Sequence, residues 1–128
     1  MAFERVFSGA PWEQKVGYCR AIKAAGQIYV TGTVAVGDDG QSLFPDDPLR
    51  QTRRCLELID KAFRELGADL SKVVRTRFFV TDISRWSEIG EAHREVFGDH
   101  PPATTMVEVK ALIAPDFLVE IEADAVIE

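Results

Sequence analysis

Pro102-Ala103-Thr104-Thr105-Met106-Val107-Glu108-Val109, followed after a connection containing Pro115-Asp116 by Leu118-Val119-Glu120-Ile121-Glu122-Ala123, is the stretch on which the fold turns. Its first piece predicts a strand over Ala103 to Lys110 and its second a strand over Leu118 to Ile127. In the second, Val119, Ile121, Ala123 and Ala125 alternate with Glu120, Glu122 and Asp124. Side chains change face at every residue of a strand, so the apolar set covers a core and the acids face away from it.

Working upstream, Asp99-His100-Pro101-Pro102 breaks the chain and ends a helix predicted from near Ser84 to Gly98, with Trp86, Ile89, Val96 and Phe97 toward the core. A strand precedes it from Lys72 to Thr81. There Val74, Thr76, Phe78 and Val80 share one face, and Arg75 and Arg77 share the other. The next element back is a longer helix: Asp46 or Asp47 can cap it, Pro48 suits its first turn, Leu49, Leu56, Ile59, Phe63 and Leu66 form its apolar stripe, and Gly67 ends it. Residues 3–8 and 18–31 are rich in β-branched and aromatic residues, and Ala25-Gly26-Gln27 reads as the turn of a hairpin. Gly37-Asp38-Asp39-Gly40 is a polar turn without the Lys and Ser/Thr of a phosphate-binding loop.

The order hairpin, helix, strand, helix, two strands predicts an α+β fold, a mixed β-sheet with two helices packed on one face, as a single domain over residues 1–128. The charged parity sets, namely Arg75 and Arg77, Glu120 with Glu122 and Asp124, and Thr104 with Met106, Glu108 and Lys110, are expected on the opposite face, toward water or an oligomer interior.

Length and charge bound the function. The 128 residues are 46% hydrophobic and 28% charged, as in an ordinary soluble domain. A net charge of −6 opposes general attraction to phosphate backbones, so nucleic-acid binding is not expected. Cys19 and Cys55 fall in segments read as strand and helix and are expected as packed, reduced thiols, with no disulfide framework. His93 and His100 lack spaced partners for a metal and are expected at the surface or an interface. No apolar run suits a signal peptide or the roughly 20 residues of a membrane span, so a cytoplasmic protein without membrane contact is expected.

The closing stretch resembles the C-terminal signature of the RidA/YjgF family of enamine/imine deaminases. Gly17-Tyr18-Cys19-Arg20-Ala21-Ile22, Ile28-Tyr29-Val30-Thr31-Gly32 and Arg77-Phe78-Phe79-Val80-Thr81-Asp82 fall in family order at family spacing, so the likeness spans nearly the whole chain. The resemblance implies a chorismate-mutase-like fold and a homotrimer with a central β-barrel and three intersubunit clefts. It further implies a small carboxylate ligand, hydrolysis of 2-imino acids to 2-oxo acids and ammonia, and neither metal nor organic cofactor. Tyr18 then falls at the aromatic position of the cleft, Thr31 and Gly32 at the pair near the ligand, and Glu120 at the water-handling glutamate. The carboxylate-binding arginine does not carry over. Its position is Thr104, which with Thr105 offers hydroxyls there, and Gly90 stands where some members have an asparagine.

A guanidinium fork gives a carboxylate two charge-assisted bonds, whereas a threonine hydroxyl gives one neutral one. Arg20, two residues after Tyr18, is the candidate replacement cation; a salt bridge to a neighbouring acid is its ordinary alternative. For Glu120 the alternative is a solvent-facing strand acid, and for Thr31-Gly32 an ordinary strand end. Hydrolysis of a small reactive metabolite therefore stands beside a non-catalytic metabolite-binding or regulatory trimer. A ribonuclease is disfavoured by the acidic balance.

Overall fold

Asp47 caps the long helix: its carboxylate accepts a hydrogen bond from the Arg50 amide at 3.0 Å, and Pro48 fills the first turn, where its missing N–H costs nothing. In the computed structural model, which describes residues 2–128, this helix, α2, runs Pro48–Glu65 and buries Cys55, Leu56, Ile59 and Phe63 along one stripe. Gly67 follows it at φ 84, the left-handed conformation that releases the chain from the helix.

The strands are β1 (Glu4–Val6), β2 (Ala21–Ala24), β3 (Gln27–Thr33), β4 (Val73–Val80), β5 (Ala103–Glu108) and β6 (Val119–Val126). They form one sheet in the order β1-β2-β3-β6-β4-β5, parallel only between β4 and β5. Ala25 and Gly26, both at positive φ, close the β2–β3 hairpin, in which Ala24 pairs with Gln27. The second large helix, α3 (Trp86–Phe97), follows a short 3-10 turn, Ile83–Arg85, capped by Asp82. With α2 it covers the sheet face that carries Ile28, Val30, Phe78, Val119 and Ile121. The expected mixed sheet with helices on one face is therefore present.

One fully buried polar side chain knits the loops to this frame. The Gln51 amide nitrogen on α2 donates to the carbonyls of Leu43, Phe44 and Asp116, and its oxygen accepts from the Leu118 amide at 2.8 Å. Those bonds offset the cost of burying an amide and fix the approach to β6.

Several expectations are corrected. A third, short helix, α1 (Pro11–Val16), precedes the hairpin, and Cys19 lies between α1 and β2 rather than in a strand. Trp86 opens α3 on its outer side and is 62% exposed, while Ile89, Ala92 and Phe97 form the buried stripe. The ladder slips one residue between Val73 and Arg75, so Val73 is buried and Val74 is exposed. Because Thr76 pairs in parallel with Thr104, and Phe78 with Met106, the set Thr104, Met106 and Glu108 lies on the helix-side face, not the opposite one. No helix among the described residues is long and apolar enough to cross a membrane.

Candidate functional site

The ladder between β3 and β6 pairs Val30 with Ala123 but Thr33 with Ile121, which leaves β3 one residue longer across Thr31-Gly32. That bulge makes room for Glu120. A Cβ on Gly32 would collide with the Glu120 carboxylate, so the missing side chain is what lets the acid lie against the strand.

Glu120 is half-buried and makes no hydrogen bond or ion pair among the described residues. Burial pushes its carboxyl above the usual range, nearby Arg20 draws it down, and the like charge of Glu122 adds to the rise. It opens onto a cleft of about 940 Å³ whose walls include Phe7, Trp12, Tyr18, Arg20 and Ile113. A carboxyl tuned toward neutrality beside an open, partly apolar cleft can both take and return a proton.

Arg20 is held rather than free. Its Nε faces Glu13 Oε2 at 3.4 Å, and its Nη1 donates to the Gly32 carbonyl at 2.9 Å and to Thr33 Oγ1 at 3.2 Å. Its guanidinium carbon also lies 5.8 Å from the centre of the Tyr18 ring. Glu13, on α1, is buried at 4% exposure and additionally accepts from the Ser8 amide at 3.0 Å and from the Ser8 hydroxyl. Gly17, at φ 91, ends α1 and turns the chain so that Tyr18 and Arg20 follow into the cleft wall.

Tyr18, Arg20, Gly32 and Glu120 are thus brought together. Thr31 is not in that cleft: its hydroxyl donates to the Cys19 carbonyl at 2.8 Å, and it lines a smaller recess of about 350 Å³ that shares Phe7 and Tyr18 with the cleft. Thr104 and Thr105 lie on β5, outside the cleft of this protomer. Thr104 Oγ1 meets Thr76 Oγ1 and lies 3.4 Å from His93 Nε2; Thr105 is on the opposite face, in register with Arg77.

His93 is partly buried, packed between two aromatic rings. Its ring lies between Phe78 and Phe97, with centroids at 5.2 and 4.6 Å, its Nε2 is 2.9 Å from Thr76 Oγ1, and burial lowers its pKa. Cys55 is fully buried, and burial pushes its thiol far up, so it is an unreactive core group. No group of three or more metal-ligating side chains occurs among the described residues.

The residue behind the candidate site that sequence reasoning missed is Glu13, which braces Arg20. Its partner lies seven positions away across a helix end and a glycine turn, a spacing with no regular period. The only available signal was Pro11 and Gly17 bracketing a six-residue segment, as the start and stop of a short helix.

Residues 10–127 match the profile of the family described as Endoribonuclease L-PSP. A structure from Mycobacterium tuberculosis, described as a member of the YjgF/YER057c/UK114 family, is 48% identical, with a TM-score of 0.90 over 98% of this chain and 100% of its own. A Yersinia pestis protein of the conserved Rid family is 30% identical, with a TM-score of 0.87 over 98% of this chain and 100% of its own. Among curated sequences, a RutC family protein of Pyrococcus abyssi is 32% identical over 98% of both chains, and an uncharacterised protein of Streptomyces coelicolor is 34% identical over 97% of this chain and 92% of its own. Profile, sequence and fold agree along nearly the full length, and the chain belongs to the Endoribonuclease L-PSP family, the group also known as YjgF or Rid.

Proposed function

We propose that the protein hydrolyses the C=N bond of a small imine, or of an enamine through its imine tautomer, with Glu120 as general acid and base and neither metal nor organic cofactor. The observation that carries this reading is the half-buried Glu120 carboxyl, unpaired among the described residues and raised by burial, set against Gly32 in the wall of the cleft. In the proposed reaction Glu120 takes a proton from water as the water oxygen bonds to the imine carbon. It returns that proton to nitrogen to give a carbinolamine, and then carries the carbinolamine hydroxyl proton to nitrogen as the C–N bond breaks, so that a carbonyl and ammonia leave. Tyr18, Arg20 and Gly32 form the wall around the reacting group, with Thr31 in the adjoining recess. Thr104 and Thr105 of a neighbouring copy complete the cleft in a cytoplasmic homotrimer.

Imines generated in situ by amino-acid and amine oxidases test this. Accelerated decay, lost by about 100-fold or more in Glu120→Gln, is the expected result; no acceleration with any member of the panel rejects turnover. A second reading, a metabolite-binding trimer without turnover, is favoured by one observation: the Thr104 hydroxyl is already engaged with Thr76 and His93. A ligand that raises the melting temperature but is never consumed would support that reading.

A further inference from the structure

The charge arrangement around Glu120 bears on which imines fit. A carboxylate is gripped best by two parallel donors of one guanidinium edge. Arg20 offers no such edge, because Nε faces Glu13 and Nη1 is committed to the Gly32 carbonyl and Thr33, so each two-donor edge contains an engaged group. Its charge is matched by the buried Glu13 carboxylate. Arg54, on the far wall, donates to the Val36 carbonyl at 2.8 Å and faces Asp38 and Glu57 at 3.5 and 3.9 Å. Lys61, on α2, lines the same cleft without an ion pair among the described residues, but it is not among the charges that act on Glu120, which are Arg20 and Glu122.

Of the charges beside Gly32, Arg20 and Glu120, the second is therefore the one without an ion-pair partner among the described residues. Two exposed aromatic rings share its cleft: Phe7 is 62% exposed and Trp12 48% exposed. The rings already draw cations, with Lys15 Nζ 5.5 Å from the Trp12 ring centre and Arg20 over Tyr18. A carboxylate beside aromatic faces is the chemistry that holds an ammonium or iminium group carrying an apolar substituent.

We infer that this cleft selects a cationic iminium with an apolar substituent and no carboxylate, rather than a 2-imino acid. In its turnover arm the inference rests on the proposed role of Glu120; in its binding arm it does not. The balanced step is RCH=NH2+ plus water giving RCHO plus NH4+, with Glu120 carrying the two protons of the water to nitrogen in turn, one after addition and one as the C–N bond breaks.

The test compares phenethylammonium, phenylacetamide and phenylacetate as probes of one shape and three charges, by calorimetric titration of the full chain. The ammonium is expected to bind at least about 10-fold more tightly than the carboxylate, and Glu120→Gln is expected to erase that difference while leaving the amide unaffected. Equal or tighter carboxylate binding, or no detectable ammonium binding, overturns the inference. In the kinetic arm, imines made from amines by an amine oxidase are compared with imino acids made by an amino-acid oxidase. Faster decay of the imino acids would reject this inference and keep the hydrolase. Ammonium binding without turnover of any imine would reject the hydrolase and keep the inference.

Discussion

Gly32 and Gly26 are both positions where a methyl group does not fit, and they should fail in different ways. At Gly26 the backbone sits at φ 78, and a Cβ would lie 2.8 Å from the Ile127 carbonyl, a backbone atom that cannot step aside. Gly26→Ala should therefore cost about 1–2 kcal/mol of stability, read as a lower urea midpoint, with the cleft unchanged. At Gly32 the obstacle is the free end of the Glu120 side chain, which can swing away. Gly32→Ala should cost less than about 1 kcal/mol yet reduce any Glu120-dependent activity by about 10- to 100-fold, because a displaced acid no longer meets its water. Equal losses of stability in the two variants would contradict this division. Glu120 itself gives a pH test. Its folded pKa is raised, so between the ordinary carboxylate value and the raised one the native state binds more protons than the unfolded chain, and stability falls as pH rises through that window. Glu120→Gln removes a penalty present in full above the window. The variant should be more stable than the parent near neutral pH, by about 0.5–2 kcal/mol, with the gain vanishing below the ordinary carboxylate range. A gain that persists in acid would show that burial of charge is not its cause.

Short helix α1 does for the site what its length alone does not suggest. Six residues cannot sustain an isolated helix, and α1 is tied down through Glu13, which holds Arg20 and both the amide and hydroxyl of Ser8. Glu13→Ala would leave the Arg20 guanidinium, 15% exposed, without its counter-charge, and the expected loss is about 2–4 kcal/mol in urea unfolding. Glu13→Gln, which keeps an acceptor for Ser8, should lose less; equal loss in both would show that the charge is irrelevant. The same element marks what the sequence could and could not disclose. Helix α2 was legible because cap, first-turn proline, apolar stripe and terminal glycine all agree. The alternation of β6 was legible because every second residue is apolar. The slip at Val74 was not, since a bulge adds one residue without any compositional sign and shifts the inward frame from Val74 to Val73. Thr104 was misplaced for a related reason: parity within one strand does not say which face is which until pairing with Thr76 fixes it. Trp86 was misread because a large apolar residue at a helix start counts toward a stripe by composition, while its angle places it outside. Among the residues of the cleft, Tyr18, Gly32 and Glu120 are singled out by the family resemblance, but the Glu13 brace depends on a turn that no periodicity describes.

At the scale of the whole molecule, the sheet has one face covered by α2 and α3 and one that is bare. On the bare face Arg77 meets Glu122 and Asp124 at 3.5 and 3.2 Å, and flanking these ion pairs, on β3 and β5, stand Tyr29 and Val107, each 43% exposed. Such a pattern has two physical outcomes. In an isolated protomer the ion pairs are solvated and worth about 0–1 kcal/mol, and replacing Val107 with a charged residue is nearly neutral. In a closed assembly the same apolar side chains leave water, and a charge at Val107 is forced either into a low-dielectric interior or into contact with the neighbouring copies. The proposed homotrimer commits to the second outcome. Sedimentation equilibrium should give a mass three times the 14.3 kDa chain, and Val107→Lys should shift the population toward single chains while making the melting temperature depend on protein concentration. The proposed trimer carries a link to function: Thr104 and Thr105 lie on edge strand β5, outside the Glu120 cleft of their own protomer, and in that proposal they complete the cleft of a neighbouring copy. Val107→Lys should therefore weaken ligand binding in proportion to the loss of trimer, although Val107 does not line the Glu120 cleft of its own protomer. If the parent chain sediments as a monomer at micromolar concentration and still binds its ligand with full affinity, the site is complete within one protomer and Thr104 has no part in it.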